Sequence, residues 1–188
     1  KYGGVVVCLC LDENGIPETA DGRIKVAKKI INTAAEYGID KKDLIVDALA
    51  MTISTDTKNA IETLKAVDYI KHTLGVNTVL GVSNISFGLP NREAVNTAFY
   101  TLCLKAGLSA GIINPKSQSM MNAYYSYNAL AGLDENCTEY IESAVVIDAV
   151  ADASNITLLD AIVKGMKEES AKCAKELLKT QNSLDIIN

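Results

Sequence analysis

Tryptophan is absent from this 188-residue chain, and phenylalanine (two), proline (three) and histidine (one) are scarce. A single histidine, His72 beside Lys71, is too little for a metal site, and none is expected. The chain has no cluster of basic residues and no interleaving of arginine with aromatics, and its net charge is -5, which excludes a nucleic-acid surface of the usual kind. No apolar run approaches the roughly 18 residues of a membrane span, and no basic segment leads into an apolar one as in a signal peptide. The five cysteines are an odd number without scaffold spacing, so a disulfide framework is excluded and a reducing cytoplasm is expected. Cys8 and Cys10, two apart on one strand face, read as small core hydrophobes rather than metal ligands. The chain has no initiating methionine and opens almost at once on a strand, so we read it as a piece of something longer.

What is present is a rhythm. Gly3 to Leu11 is β-branched and apolar and is broken by Asp12-Glu13-Asn14-Gly15. A helical stripe follows over 20–37, with Ile24, Ala27, Ile31, Ala34 and Ala35 on one face, and Gly38 closes it. Leu44 to Val46 is closed by Asp47, and a second helix is expected over 57–73. Thr78 to Val82 ends in Ser83-Asn84, with a helix from Pro90 to Lys105. Ala110 to Ile113 ends in Asn114-Pro115, with a helix over 119–131. The order βαβαβαβα demands parallel strands joined by crossover helices. Strands apolar on both faces fit burial on both sides. Two architectures meet the pattern: half of a (β/α)8 barrel, and an open doubly wound sheet. No glycine-rich phosphate loop follows the first strand, which counts against the second.

Each strand ends in a polar residue: Asp12, Asp47, Asn84 and Asn114. In α/β folds ligands bind at that rim. The stretch GVSNISFGLPNRE, 81–93, is the most pointed case, because an amide ends the strand just before a tight turn. Each rim residue also has a plainer reading. Asp47 suits an Asx turn, Asp12 lies in good turn chemistry, and Asn114 precedes a proline and ties down its loop. Glu93 in a first helical turn is a favourable dipole placement. Arg92 reads as a solvated surface arginine. Tyr124, Tyr125 and Tyr127 read as packing.

The pattern changes after Gly132. A short helix over 137–143 leads into an alanine- and valine-rich connector, and 155–180 is strongly helical with lysine and glutamate on its polar face. This gives three segments, 1–134, 135–153 and 154–188.

Together VVVCLCLDENGIPETADGRIKVAKKI, LIVDALAMTIST, GVSNISFGLPNREAVNTAF and GIINPKSQSMMNAYYSYNALAGLDENC resemble the pterin-binding domain of cobalamin-dependent methionine synthases. The wider family includes corrinoid-protein methyltransferases and, more distantly, dihydropteroate synthases. The tail resembles the start of the helical cap before a cobalamin-binding domain. The resemblance implies a (β/α)8 barrel that binds methyltetrahydrofolate at its mouth, with units five to eight in this chain. It implies transfer of the methyl group to cob(I)alamin, bound by a neighbouring domain, and onward to homocysteine. By that analogy Asp47 is a pterin ligand and Asn84 the residue nearest the methylated nitrogen, with Ser83, Asn114 and Asp12 around them; contact of Arg92 with the folate's glutamate tail is the alternative to its reading as a solvated arginine.

The chemistry of these side chains agrees. An ionised carboxylate accepts two parallel donors, which suits the edge of a pterin ring. The amine that loses its methyl must leave as a neutral base, and a network through Asn84 and water is the expected proton route. Ser83 either orients that network or satisfies a backbone group, and we read it as the latter. Other acceptors are an alternative: a methyltetrahydrofolate:corrinoid protein methyltransferase, or a pterin-binding assembly module that does no chemistry. A dihydropteroate-synthase-like enzyme expects a basic motif near the last strand, where INPKSQS supplies one lysine. Half a barrel leaves edges and an apolar face bare, so the missing half or a second copy is the expected partner.

Overall fold

The structure, a computed structural model, describes residues 3–151, 157–163 and 167–179. The chain forms two compact units, Lys1–Tyr140 and Ile141–Asn188. In the first, four strands alternate with helices: β1 (Val6–Leu9), α1 (Ala20–Glu36), β2 (Leu44–Asp47), α2 (Asn59–Asp68), β3 (Asn77–Gly81), α3 (Arg92–Lys105), β4 (Ala110–Ile112) and α4 (Gln118–Leu130). Every strand pair is parallel, and the order across the sheet is β1-β2-β3-β4.

That order decides the layering. Parallel crossovers are right-handed in nearly all cases, so an order that never reverses puts each connecting helix on the same side. A doubly wound sheet needs a reversal, and these four strands have none. The burial agrees: Cys8, Leu44, Val46 and Leu80 point to the helices and form one core with Ala27, Val67, Ile70, Phe99 and Cys103. The alternate residues share the opposite face, in the register Leu9–Asp47–Val79–Ala110. No described helix of this unit covers that face near β1 and β4, where Val7 is 58%, Leu9 44% and Ile112 64% exposed.

Below the strand ends, a buried polar chain ties the helices to the loops. Gly22, at the start of α1, lies so close to Pro17 that a Cβ would meet the proline ring at 2.6 Å. The approach brings the fully buried Arg23 against the Pro17 carbonyl, to which Nε donates at 2.9 Å. Its Nη1 donates to Thr63 Oγ1 (2.7 Å) on α2, and that hydroxyl donates to the Asn59 carbonyl (2.8 Å). The Asn59 amide then donates to the Thr52 carbonyl at 2.8 Å, in the loop after β2. Burial lowers the Arg23 pKa. The start of α1 is capped twice, by Thr19 Oγ1 on the Gly22 N–H and by Glu62 of α2 on the Ala20 N–H.

Three elements differ from the sequence expectation. The first strand is shorter than 3–11, because after Leu9 the chain folds into a turn closed by paired bonds between Asp12 and Gly15. The third strand stops at Gly81, and Val82–Ser86 is a 3-10 turn. The third helix begins at Arg92, not Pro90, since Asn91 takes a left-handed φ of 47° and breaks the helical run. Beyond the last unit, Asp134 caps α5 (Thr138–Ala151) by accepting the N–H groups of Glu139 and Tyr140. The stretch expected to be a short helix and connector is therefore helical as far as Ala151. The second unit also holds α6 (Leu158–Val163) and α7 (Lys167–Leu177); residues 155–156, 164–166 and 180 of the expected tail helix lie outside the described residues. No described helix is long and apolar enough to cross a membrane.

Candidate functional site

The C-terminal ends of β2 and β3 bring two side chains to the open face. Asp47 ends β2, paired with Val79 of β3, and Gly81 lies one pleat further along that same face. Asn84 folds back over Gly81, its amide nitrogen 3.1 Å from where a Cβ would stand. A side chain at 81 would push the carboxamide away, so the glycine is what lets Asn84 lie there. Asp47 and Asn84 thus occupy neighbouring positions on one rim. The Asn84 side chain is exposed and makes no hydrogen bond among the described residues.

Asp47 is half-buried, and one carboxylate oxygen accepts the Leu49 N–H at 2.8 Å. The turn reading is therefore realised, but with one oxygen only. Burial pushes the Asp47 pKa above its usual value, and the Leu49 N–H partly offsets this. Leu49 itself is held at a φ of 60°. Such a conformation costs a leucine about 1–3 kcal/mol, and strain of this kind clusters at ligand sites and switches. The neighbouring Cys10 is wholly buried, and its thiol is pushed up to about 12, by burial first and then by Asp47. It is an inert core group.

The turn that carries Asn84 is held from two sides. From the β2 loop, Thr52 Oγ1 (2.6 Å) and Ser54 Oγ (2.9 Å) both donate to the Phe87 carbonyl, and the Ile53 N–H donates to the Ile85 carbonyl. From α3, Arg92 Nη2 donates to the Ser83 carbonyl (2.8 Å) and Nε to Ser86 Oγ (3.0 Å). Arg92 is exposed, as the sequence suggested, and in addition clamps this turn; nothing in the sequence singles out Thr52 and Ser54 for their role beyond a run of hydroxyl residues after Asp47.

The remaining rim residues separate. Asn114 Oδ1 accepts the Lys116 N–H (3.1 Å), and Asn114 and Ser83 line one cavity of about 410 Å³ between the β3 turn and α4. Asp12 Oδ1 accepts the Asn14 N–H (2.8 Å), and Asp12 borders a groove along α1 instead of joining Asp47. His72 pairs with Asp68 at 3.0 Å on exposed helix surface, and among the described residues no three His, Cys, Asp or Glu side chains are grouped to hold a metal ion.

Two outcomes follow from this geometry. Replacing Arg92 by Met should cost about 1–2 kcal/mol in urea unfolding, the value of charge-assisted bonds discounted for exposure. It should also speed hydrogen exchange at Phe87 and Leu89, whose N–H groups bond to Asn84 and Ser86. Unaltered exchange would return Arg92 to the solvent. The second concerns Asp47. A carboxyl whose folded pKa is raised destabilises the fold increasingly as pH rises through that pKa. Asp47→Asn keeps the bond to Leu49, so its melting temperature at pH 7 should exceed that of the parent, with the difference closing below the ordinary value of 3.8. A lower melting temperature at neutral pH would contradict the burial argument.

Comparison with known proteins adds three likenesses. The sequence pattern of the pterin binding enzyme family matches residues 6–114. A methylcorrinoid:tetrahydrofolate methyltransferase of Eubacterium limosum is 29% identical over 136 residues, covering 72% of this chain and 50% of the relative. The methionine synthases of Mycobacterium leprae and Mycobacterium tuberculosis are each 35% identical, over 142 and 130 residues, covering 71% and 65% of this chain. The chain spans half the length of the first relative and only 12% and 11% of the two synthases.

Proposed function

Because the chain belongs to the pterin binding enzyme family, we propose that it binds 5-methyltetrahydrofolate at the C-terminal rim of its sheet, as part of a cobalamin-dependent methyltransferase of the methionine synthase kind. One observation carries the reading: a carboxylate with a free oxygen and an unbonded carboxamide, Asp47 and Asn84, share the open face where parallel strands end. The strained Leu49 beside Asp47 supports it.

In this reading the free oxygen of Asp47 accepts from the adjacent N–H donors of the pterin edge and fixes the ring in the plane of the rim. Asn84 hydrogen-bonds near the methylated nitrogen. Its carboxamide accepts when that nitrogen carries a proton and donates when it does not, and adds no net charge. It holds, through water, the proton that lets the amine leave as a neutral base. Ser83 and Asn114 lie at the margin, and Asp12 stands apart. In this reading cobalamin is bound by a neighbouring domain, where it would supply the nucleophile for the methyl group. Homocysteine is the final acceptor we propose, and the likeness to the Eubacterium limosum enzyme favours a corrinoid protein as the second choice.

The four units are read as the second half of a barrel, units five to eight. The singly wound order and the bare face support this. The segment 1–134 is then the half barrel, 135–153 a connector that is helical as far as Ala151, and 154–188 the start of a cap.

Asp47→Ala should weaken folate binding by about 1–3 kcal/mol, the usual cost of an unpaired charged-group partner. In the parent, affinity should fall on acidification from a pH above that of an ordinary aspartate, because the carboxyl must be ionised to accept. The Asn variant should bind weakly and without that dependence. Calorimetry checks both, and unchanged affinity in Asp47→Ala would remove Asp47 from the site. The 188-residue chain alone should associate at micromolar concentration through its bare face, and Val7→Lys should weaken this. A monomer in sedimentation would count against the half barrel and for a self-sufficient unit.

A further inference from the structure

Arg23 is among the largest wholly buried side chains, and among the described residues no carboxylate bonds to it. The acid whose charge acts on it, Glu62, is engaged by the Ala20 N–H and by Lys65. One guanidinium nitrogen, Nη2, is buried without a partner. Apolar side chains of similar volume often replace buried charges at no loss of stability, because they avoid the desolvation of the charge. Packing alone therefore does not account for an arginine here. What it adds is a set of directional bonds.

Those bonds run one way. Arg23 donates to Thr63, Thr63 to the Asn59 carbonyl, Asn59 to the Thr52 carbonyl and Thr52 to the Phe87 carbonyl. The Phe87 N–H then donates to the carbonyl of Asn84 at 3.2 Å. At Thr63 the chain passes through a single atom. Its Oγ1 accepts from the buried cation and donates to the carbonyl four residues back, which fixes both the rotamer and the hydroxyl proton. At the far end the Asn84 carboxamide makes no hydrogen bond among the described residues. Where that amide lies is therefore set by the backbone of its own turn, Val82–Ser86, and by the room that Gly81 leaves.

We propose that Thr63, wholly buried on α2 and outside the rim, is a positioning residue for Asn84; that the positioning serves pterin binding rests on the reading given under Proposed function. The Thr63 hydroxyl is the only side-chain acceptor of the guanidinium among the described residues. Without it, α1 and α2 lose the bond that sets their spacing at this end. The Asn59 carbonyl loses the same hydroxyl, and its amide no longer holds the Thr52 loop at a fixed distance from the core. The turn of Asn84 is then braced by Ser54, Ile53 and Arg92 alone. Residues 23, 63 and 87 belong to three successive strand–helix units, so no local pattern connects them.

The test deletes one hydroxyl. Thr63→Val keeps the shape of the side chain, and Thr63→Ser keeps the hydroxyl. In the full chain without ligand, the Phe87 N–H should exchange about three- to tenfold faster in Thr63→Val, the effect of losing roughly one hydrogen bond, and at the parent rate in Thr63→Ser. The Ser117 N–H, bonded to Asn114 in the next unit, should keep its rate. Equal acceleration at both positions means a general loss of stability and overturns the proposal, as does an unchanged rate at Phe87. Calorimetric affinity for 5-methyltetrahydrofolate should fall by a similar factor in Thr63→Val and recover in Thr63→Ser. In an Asn84→Ala background the same substitution should have no further effect, since the two residues then form a coupled pair. A loss that persists in that background places the action of Thr63 elsewhere and overturns the proposal. If the parent binds no 5-methyltetrahydrofolate, the pterin reading fails, and the exchange comparison alone decides whether Thr63 holds the turn. If Thr63→Val does not fold, Asn59→Ala, which breaks the next link and leaves Arg23 its acceptor, takes its place in both measurements with the same expected outcomes.

Discussion

Every feature of the site depends on a strand order that runs one way. Because each crossover is right-handed and none reverses direction, the helices have only one face of the sheet to cover. That face becomes the core. On the other, the same alternation that buries Val46 and Leu80 sets Leu9, Asp47, Val79 and Ala110 in a row. A polar residue there is exposed at the strand end without being loose, since its backbone belongs to a paired strand. Rigidity comes from the sheet, and access from a face that no described helix of this unit covers near β1 and β4.

The rim is kept in place by polar groups that are individually ordinary. The guanidinium of Arg23, wholly buried, starts a chain through Thr63, Asn59 and Thr52 that ends on the Phe87 carbonyl. It crosses α1, α2 and both rim loops. Arg92 secures the other flank of the same turn. The apolar core could tolerate a small shift of one helix. These hydrogen bonds, being directional, could not, and they convert an approximate layering into a fixed relation between Asp47 and Asn84.

Much of this was legible from the residues. Apolar runs closed by single polar residues gave the four units, because a parallel strand buried on both faces can carry polarity only at its end. Asp47 and Asn84 stood out on that basis. The end of β3 did not, since Val82 continues the apolar run and only Gly81, by admitting the Asn84 amide, shows where the strand stops. The start of α3 is not legible locally, because Pro90 is a good first helical residue and nothing near it reveals that Asn91 turns left-handed. The bonds of Arg92 are not legible for another reason. Its partners are set by a turn that folds back over nine residues, and hydrophobic periodicity carries no signal of that. The alanine- and valine-rich stretch to Ala151 has no polar face, so no stripe marked it as a helix.

The double donation from Thr52 and Ser54 to one carbonyl has a consequence for how the molecule assembles. Both lone pairs of the Phe87 oxygen are used, by hydroxyls 33 and 35 positions earlier in the chain. Both bonds depend on the pairing of β2 and β3, which, with the backbone bond from Ile53 to Ile85, brings those loops together. Closing so long a segment for a pair of hydrogen bonds yields little until the strands and their helices are already in place. The rim is therefore the last part of the sheet to take its native form and the first to lose it. A nascent chain can complete its hydrophobic core while still lacking the geometry that sets Asp47 beside Asn84, so burial of that core is no guarantee of a competent rim.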